Sequence, residues 1–312
     1  MIDLSIIVPV FSEEKNILPF TSRTIAVLKK LNVSYEIIFA LDPSNDESEN
    51  IIINEASKNK NIKLITFSRR FGQPSATIAG LSLSQGNYCV VIDVDLQDPP
   101  ELIEQLYKKI TSTNLYEVVM AKRKSRIGET FIKKIFTSVG YYLINKMTDI
   151  KIPRNTGDFR IMSRKVVEEI KKLNETHGFL RGLVSFVGFN QTFVEYERSE
   201  RFEGKGNYNK YFGSIKIGMN GIFGFTSKPL VIMSTVGFIF ALVSFMLGLW
   251  YVIQKLVGVS LTPGLPTTIL VITFFSGIQL LGMGLLGEYI SRIYDEVKKR
   301  PQYIIDKKIN FN

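Results

Sequence analysis

Two stretches in the C-terminal third constrain this chain more than any other feature. Residues 230–253 form an uncharged apolar run of 24 residues, and residues 267–286 form another of 20. As helices they would measure about 36 Å and about 30 Å, enough to cross the ~30 Å hydrocarbon core of a bilayer. Such runs fold either as buried helices of a large soluble core or as a membrane hairpin. Neither run has a charge or a polar face, which favours the membrane. Lys210, Lys216 and Lys228 precede the first run, Arg292, Lys298, Lys299 and Arg300 follow the second, and the connection holds Lys255. The preference of Lys and Arg for the cytoplasmic side predicts that the N-terminal portion and the C-terminal tail both lie in the cytoplasm.

The segment before the spans reads differently. LSIIVPV, YEIIFAL, IKLITFS, YCVVID and EVVMAK are short β-branched runs, separated by amphipathic stretches that include residues 17–31 and 75–85. The alternation predicts an α/β domain with a mostly parallel sheet covered on both faces. The opening MIDLSIIVPVFSEE has an acid at Asp3 and no basic n-region, so it reads as the first strand rather than a secretory signal. Residues 129–147 and 208–225 are basic and aromatic on a helical repeat. Two readings stay open for each: an amphipathic helix on the membrane surface, or ordinary packing on the sheet.

Composition narrows the chemistry. A single cysteine, Cys89, and a single histidine, His177, leave no intrachain disulfide, no Cys/His zinc site and no ordinary His-based triad. The net charge of +10 points to an anionic partner. Nucleic acid is not expected, because no recognition motif is present and part of the charge flanks the spans. Chemistry must therefore rest on carboxylates, Lys, Arg and hydroxyls.

Residues 90–101, VVIDVDLQDPPE, run an apolar strand into Asp93, Asp95, Asp98 and Glu101. Asp98-Pro99-Pro100-Glu101 fits a helix start, with Asp98 as N-cap and Glu101 closing a capping box. Ser44 and Glu47 suggest a second capping box. Asp93 and Asp95 are left over. Two apart on an extended chain, they face the same side just past the sheet, where a polar turn or a Mg²⁺ or Mn²⁺ site would use them. The sequence has no G-x-x-x-x-G-K-[ST], and Gly204-Lys205-Gly206 lacks the third glycine of a dinucleotide loop. A metal-held diphosphate leaving group, as in a nucleotide sugar, fits better.

The segments SIIVPVFSEEKNI, DPSNDES, FGQPSATIAGL, VVIDVDLQDPPELI, NTGDFRIMSRKV, FLRGLVSFVGF, ERFEGKGNY and GIQLLGMGLLGEYISRIYDEVKKRPQYII together resemble the bacterial polyprenyl-phosphate glycosyltransferases. These are family 2 enzymes of GT-A type, similar to dolichol-phosphate mannose synthase and undecaprenyl-phosphate glucosyltransferases. The resemblance implies a GT-A nucleotide-sugar domain over residues 1–208 and an amphipathic juxtamembrane segment over 209–229. It implies transmembrane helices at 230–253 and 267–290 and a basic cytoplasmic tail at 291–312.

By the same resemblance, Pro9, Phe11 and Glu13 match the nucleotide-binding P-x-[YF]-x-E, and Asp42 matches the second acid of D-D-G-S. Asp93, Asp95 and Gln97 match the metal-binding D-x-D-x-Q, with Asp93 also on the donor nucleotide and Asp95 also catalytic. Asp158 in T-G-D-F-R matches a catalytic base or an acid that orients the acceptor. Arg123, Arg126, Arg201 and Lys205 fall where relatives place acceptor-phosphate cations. The chain departs from the pattern at Leu41 and Pro43 around D-D-G-S, at Arg70 and Pro74, and at Gly206 and Asn207, where Ser-Lys is usual.

The implied reaction is inverting transfer of one sugar, glucose from UDP-glucose being the expected case, to undecaprenyl phosphate at the bacterial inner membrane, with Mg²⁺ or Mn²⁺ as cofactor. UDP-GlcNAc, GDP-mannose or a modified pentose are alternative donors, and a non-catalytic nucleotide-sugar-binding scaffold is the alternative outside enzymes. A processive polysaccharide synthase would carry Q-x-x-R-W, whereas Trp250 lies within the first span. Small residues at Gly237, Ala241, Ser244 and Gly248 allow close helix packing, either within the hairpin or in a homo-oligomer. A phosphate monoester with a second pKa near ~6 is largely dianionic at pH 7 and needs little help from a base. Asp158 is therefore expected to orient more than to deprotonate.

Overall fold

A short β-branched run that is apolar on both sides is stable only between two layers, and that is where these runs lie. The computed structural model describes residues 2–113, 115–124, 147, 153, 156–173, 175, 180–197, 222–258 and 264–311. In chain order the elements are β1 (Leu4–Val10), α1 (Glu14–Leu31), β2 (Tyr35–Leu41), α2 (Ser48–Lys58), β3 (Ile62–Phe67), α3 (Gln73–Leu83), β4 (Tyr88–Val91) and α4 (Leu102–Ser112). There follow β5 (Val118–Arg123), β6 (Thr156–Ser163), α5 (Arg164–Lys172), α6 (Leu180–Val187), β7 (Gln191–Tyr196), α7 (Lys228–Leu256), α8 (Leu265–Val297) and β8 (Ile305–Ile309).

The strands form one sheet in the order β7-β5-β6-β4-β1-β2-β3-β8. β6 runs antiparallel to β4 and β5, β8 runs antiparallel to β3, and the remaining neighbours pair in parallel. β1 is buried at every position. Its alternate residues serve different layers: Ile6 and Val8 join Phe20, Phe39 and Leu106 on one face, and Ile7 joins Ile38, Ile65, Met162 and Leu183 on the other. Each such side chain contributes about 1.5–3 kcal/mol on burial, so the sheet centre is a rigid base for the loops at its edge. α1 shows how the sequence directs this. Ile17, Phe20, Thr21, Thr24, Val27 and Leu28 recur at helical spacing on its buried face, and Asn32 in the left-handed region ends it with φ 55°.

The five expected strands are present, and three more join them. β6 comes from a segment quoted above only for its likeness to relatives, and β7 from a stretch between two such segments. β8 comes from the tail. It adds to the open edge of β3, with Ser68 N–H donating to Ile304 O at 3.0 Å and Asn310 Nδ2 donating to Ala56 O and Ile62 O at 2.7 Å each. Residues 291–312 are thus not simply a basic tail: they end as part of the sheet.

α7 and α8 are long enough to cross a membrane, and none of the apolar window in either is buried within the protein. That excludes two core helices of a soluble domain. The pair packs along one seam, with Phe240 edge-on to Phe275 at 5.1 Å and to Phe274 at 6.2 Å. A Cβ added at Gly282 would meet Met233 Cε at 2.9 Å, whereas one at Gly237 or Gly248 would meet nothing within 4 Å. The contact between the helices therefore does not use Gly237 or Gly248. α8 runs beyond the apolar stretch through Glu288 and Arg292, which pair at 2.9 Å. At that end Tyr289 Oη donates to Thr226 O at 2.7 Å and Gln302 Nε2 donates to Glu175 O at 2.8 Å. With β8 on the sheet, the hairpin returns the tail to the side on which the N-terminal domain lies. Of the two basic, aromatic segments, residues 129–146 and 208–221 lie outside the described residues.

Both expected capping boxes are corrected. α4 begins at Leu102 without a side-chain cap. Glu101 instead makes a forked pair with Arg23, at 2.8 and 2.7 Å, and Asp98 turns inward, as described below. At α2, Ser44 Oγ donates to Asp46 at 2.7 Å, and it is Asp46 that accepts from the N–H and hydroxyl of Ser48. In both places a charged partner distant in sequence, or a better-placed carboxylate, outcompetes the local cap.

Candidate active site

The carboxyl ends of β1, β2 and β4 lie at one edge of the sheet, since Val10 pairs with Leu41 and Ile7 with Val91. Edges of this kind collect ligands in open α/β folds. Phe11 follows β1, and the Arg70 guanidinium lies over its ring, 3.7 Å from the centroid. Ser12 takes a left-handed conformation, φ 55°. Glu13 accepts from Asn16 Nδ2 at 2.5 Å, while its own N–H donates to Ser48 Oγ at 3.1 Å. Asp42 is buried, and its two oxygens accept from the backbone N–H groups of Phe71 and Gly72 at 2.9 and 2.8 Å. This holds the loop before α3 against the end of β2. Gly72 has φ +88°, a conformation that side chains resist, so a glycine is needed where the loop turns into α3.

The acidic loop follows β4. Gln73, at the start of α3, donates from Nε2 to Asp93 Oδ1 at 2.8 Å. The N–H of Gln97 donates to Asp95 Oδ1 at 3.1 Å, closing a tight turn in which Leu96 is left-handed, φ 60°. Among the described residues no group of three or more His, Cys, Asp or Glu side chains is arranged to hold a metal ion. An all-protein cage is therefore absent from that part of the chain. Two carboxylates on a turn suit a hard cation that takes its other ligands from water and phosphate, so the residues present fit Mg²⁺ or Mn²⁺.

Beyond β4 the charge reverses. β4 and β6 pair antiparallel as far as Val91 opposite Arg160, so the start of β6, with Asp158, lies at the carboxyl end of β4. Arg181, on α6, donates from Nε to Asp158 Oδ1 at 3.0 Å, and Arg160, 1% exposed, is held by the carbonyls of Gly157 and Asp158 at 2.8 and 3.3 Å. Burial works to raise the Asp158 pKa, but Arg181, Arg160 and Arg123 outweigh it and keep the carboxyl below the usual range. Burial pushes the Arg160 guanidinium down to about 10. Arg123 ends β5, with Nη2 3.7 Å from Asp98 Oδ2 and Nε 3.2 Å from Tyr196 Oη. Tyr196 donates its hydroxyl proton to Asp98. Burial, reinforced by Asp98, pushes the Tyr196 phenol well above its usual pKa. Two carboxylates and three guanidiniums leave this half of the edge net positive.

Of the expected site residues, Pro9, Phe11, Glu13, Asp42, Asp93, Asp95, Gln97, Arg123 and Asp158 come together along this edge. Arg126, Arg201 and Lys205 lie outside the described residues, as does His177. Cys89 is buried, with its thiol pKa raised by burial, and plays no part at the edge. Sequence reasoning missed Arg181, Tyr196 and Gln73. A lone Arg inside the apolar segment FLRGLVSFVGF was a usable signal for the first, while Tyr196 reads as one more strand aromatic.

Residues 5–171 match the family described as Glycosyl transferase family 2. An uncharacterized glycosyltransferase of Bacillus subtilis, YkcC, is 45% identical over 98% of this chain and 94% of its own length. The SfII prophage-derived bactoprenol glucosyl transferase of Shigella flexneri is 41% identical over 97% of both chains. Among solved structures, mannosyl-3-phosphoglycerate synthase from Rubrobacter xylanophilus superposes with a TM-score of 0.50 at 12% identity, covering 70% of this chain and 71% of the other. At that identity the likeness concerns the fold alone.

Proposed function

The chain belongs to glycosyl transferase family 2, and from that premise we propose that it transfers one glucose from UDP-glucose to undecaprenyl phosphate, with inversion, at the cytoplasmic face of a bacterial inner membrane. The name of the Shigella relative supports glucose and the lipid carrier. The observation that carries the chemistry is the meeting, at one sheet edge, of an acid pair with a guanidinium-rich half.

Both substrates are anions, so the task is to bring a phosphate beside a diphosphate. On the donor side, Phe11 and the loop fixed by Asp42 would take the nucleotide, and Asp93 and Asp95 would hold Mg²⁺ or Mn²⁺. When bound, that cation offsets the charge of the departing diphosphate. On the acceptor side, Arg123 would face the lipid phosphate, joined by Arg126, Arg201 and Lys205. The phosphate oxygen attacks the anomeric carbon opposite the diphosphate, the carbon–oxygen bond to UDP breaks, and the configuration inverts. No proton need move, because the acceptor is already dianionic at pH 7. A carboxyl held below its ordinary pKa is also a poor proton acceptor, so Asp158 serves to keep Arg181 in place at the edge.

Purified full-length protein in lipid nanodiscs, given undecaprenyl phosphate, Mn²⁺ or Mg²⁺ and a panel of radiolabelled nucleotide sugars, tests the proposal. Label should enter the lipid from UDP-glucose. Label from GDP-mannose or UDP-GlcNAc instead would replace the donor, and no lipid product from any sugar would leave a nucleotide-sugar-binding scaffold.

A further inference from the structure

Asp98 caps no helix, yet its side chain is 3% exposed. A buried carboxylate is costly, and an apolar residue of similar size would often serve stability as well, so its retention calls for a geometric reason. Its partners supply one. Asp98 lies three residues beyond Asp95, past the turn at Leu96, and is followed by Pro99 and Pro100, whose fixed φ stiffens the exit from the acidic loop. From there its two oxygens take the Tyr196 hydroxyl and face Arg123 Nη2 at 3.7 Å.

Tyr196 is the register partner of Arg123 across β7 and β5, and its hydroxyl oxygen accepts from Arg123 Nε at 3.2 Å. Its ring packs edge-on to Phe159 at 6.5 Å, beside Asp158. On the remaining side Gly157 leaves the guanidinium its room. A Cβ there would lie 3.1 Å from Arg123 Nη2, tighter than side chains normally tolerate. Three segments of chain thus surround one guanidinium, and one of them is the continuation of the Asp93–Gln97 loop.

We propose that Asp98 and Tyr196 form a brace that locks Arg123 to the acidic loop, setting the acceptor phosphate at a fixed distance from the donor diphosphate, with Tyr196 a positioning residue. The proposal rests on Arg123 facing the acceptor, as above. Its consequence for rate follows from the geometry of transfer, where a misplacement of ~1 Å costs on the order of 10²-fold. Phenylalanine at 196 keeps the ring on Phe159 and removes only the hydroxyl that joins carboxylate to guanidinium.

The test uses full-length protein in nanodiscs and two readouts: equilibrium binding of undecaprenyl phosphate in EDTA without donor, and steady-state transfer with each substrate varied. Tyr196→Phe should weaken acceptor binding and raise the acceptor KM by about five- to tenfold, the worth of one ordinary hydrogen bond, and leave the donor KM unchanged. Gly157→Ala, which crowds the same guanidinium, should do the same. Arg123→Gln separates the two layers of the argument. If it leaves acceptor binding intact, the assignment of Arg123 fails. If it weakens binding while Tyr196→Phe and Gly157→Ala stay within twofold of wild type, the brace alone is refuted. Lowered thermal stability with unchanged acceptor binding in both variants would also overturn it, since that is what a purely structural network would give.

Discussion

Replacing Arg181 by glutamine removes a cation that pairs with Asp158 and a 3.4 Å contact to Thr156 O. The pair is 3.0 Å apart, with side chains 20% and 27% exposed. At an effective dielectric constant of ~20, two unit charges ~4 Å apart attract by about 4 kcal/mol before desolvation is subtracted. Truncating one partner of a fully buried pair costs about 3–5 kcal/mol, and exposed pairs are worth about 0–1. Here a fifth to a quarter of each side chain meets solvent, and Arg160 and Arg123 still act on the carboxylate. A loss of about 1–2 kcal/mol follows, roughly tenfold in kcat/KM for the acceptor. Lysine should recover only part of it, because a point charge cannot reproduce the forked contact with Asp158 and Thr156 O.

Stability changes with a definite sign. The folded pKa of Asp158 is lowered, so its contribution is complete above the unfolded value of ~3.9 and is lost as pH falls through the folded value. The deficit in thermal midpoint of Arg181→Gln should therefore be present at pH 7 and shrink below about pH 4. Transfer of radiolabelled glucose at saturating UDP-glucose, beside thermal unfolding in the same nanodiscs, measures both. A variant within twofold of wild type, in a preparation where Asp158→Asn is inactive, would mean that Asp158 does not work through Arg181.

Asp95→Ala should abolish transfer and leave membrane insertion unchanged, checked by activity beside carbonate extraction; retained activity would contradict the metal assignment. The rate of transfer should fall below about pH 6, where the acceptor takes up its second proton. Asp158→Asn should lower the rate without moving that limb, and its disappearance in the variant would identify Asp158 as the titrating group. Asn310→Ala deletes the two 2.7 Å bonds that fasten the end of β8 to Ala56 and Ile62. It should cost about 1–3 kcal/mol of stability, read as a lower thermal midpoint, with acceptor KM unchanged at 25 °C; an unchanged midpoint would mean that β8 does not hold the sheet edge.

Much of the site was legible in residue order because its signals are local. Strand periodicity places Pro9, Phe11, Asp42, Asp93 and Asp95 at strand ends, and a parallel sheet puts those ends on one edge. The capping boxes at Asp98 and Ser44 were equally local, and both failed, because Tyr196, Arg123, Arg23 and Asp46 offered stronger partners than the helix ends did. Tyr196 stands 98 residues from Asp98, and Arg181 stands 23 from Asp158.

Sequence alone determined that this chain carries two membrane-length helices, a mostly parallel sheet and an acid pair at the end of a strand, since each follows from the spacing of neighbouring residues. Tertiary structure decided which charges meet: that Asp98 faces inward, that three guanidiniums gather around Asp158, and that the tail returns as β8 to cover the edge of β3. The reason is that a buried charge takes the partner folding brings within a few ångströms, and a sheet edge pairs with whichever strand reaches it.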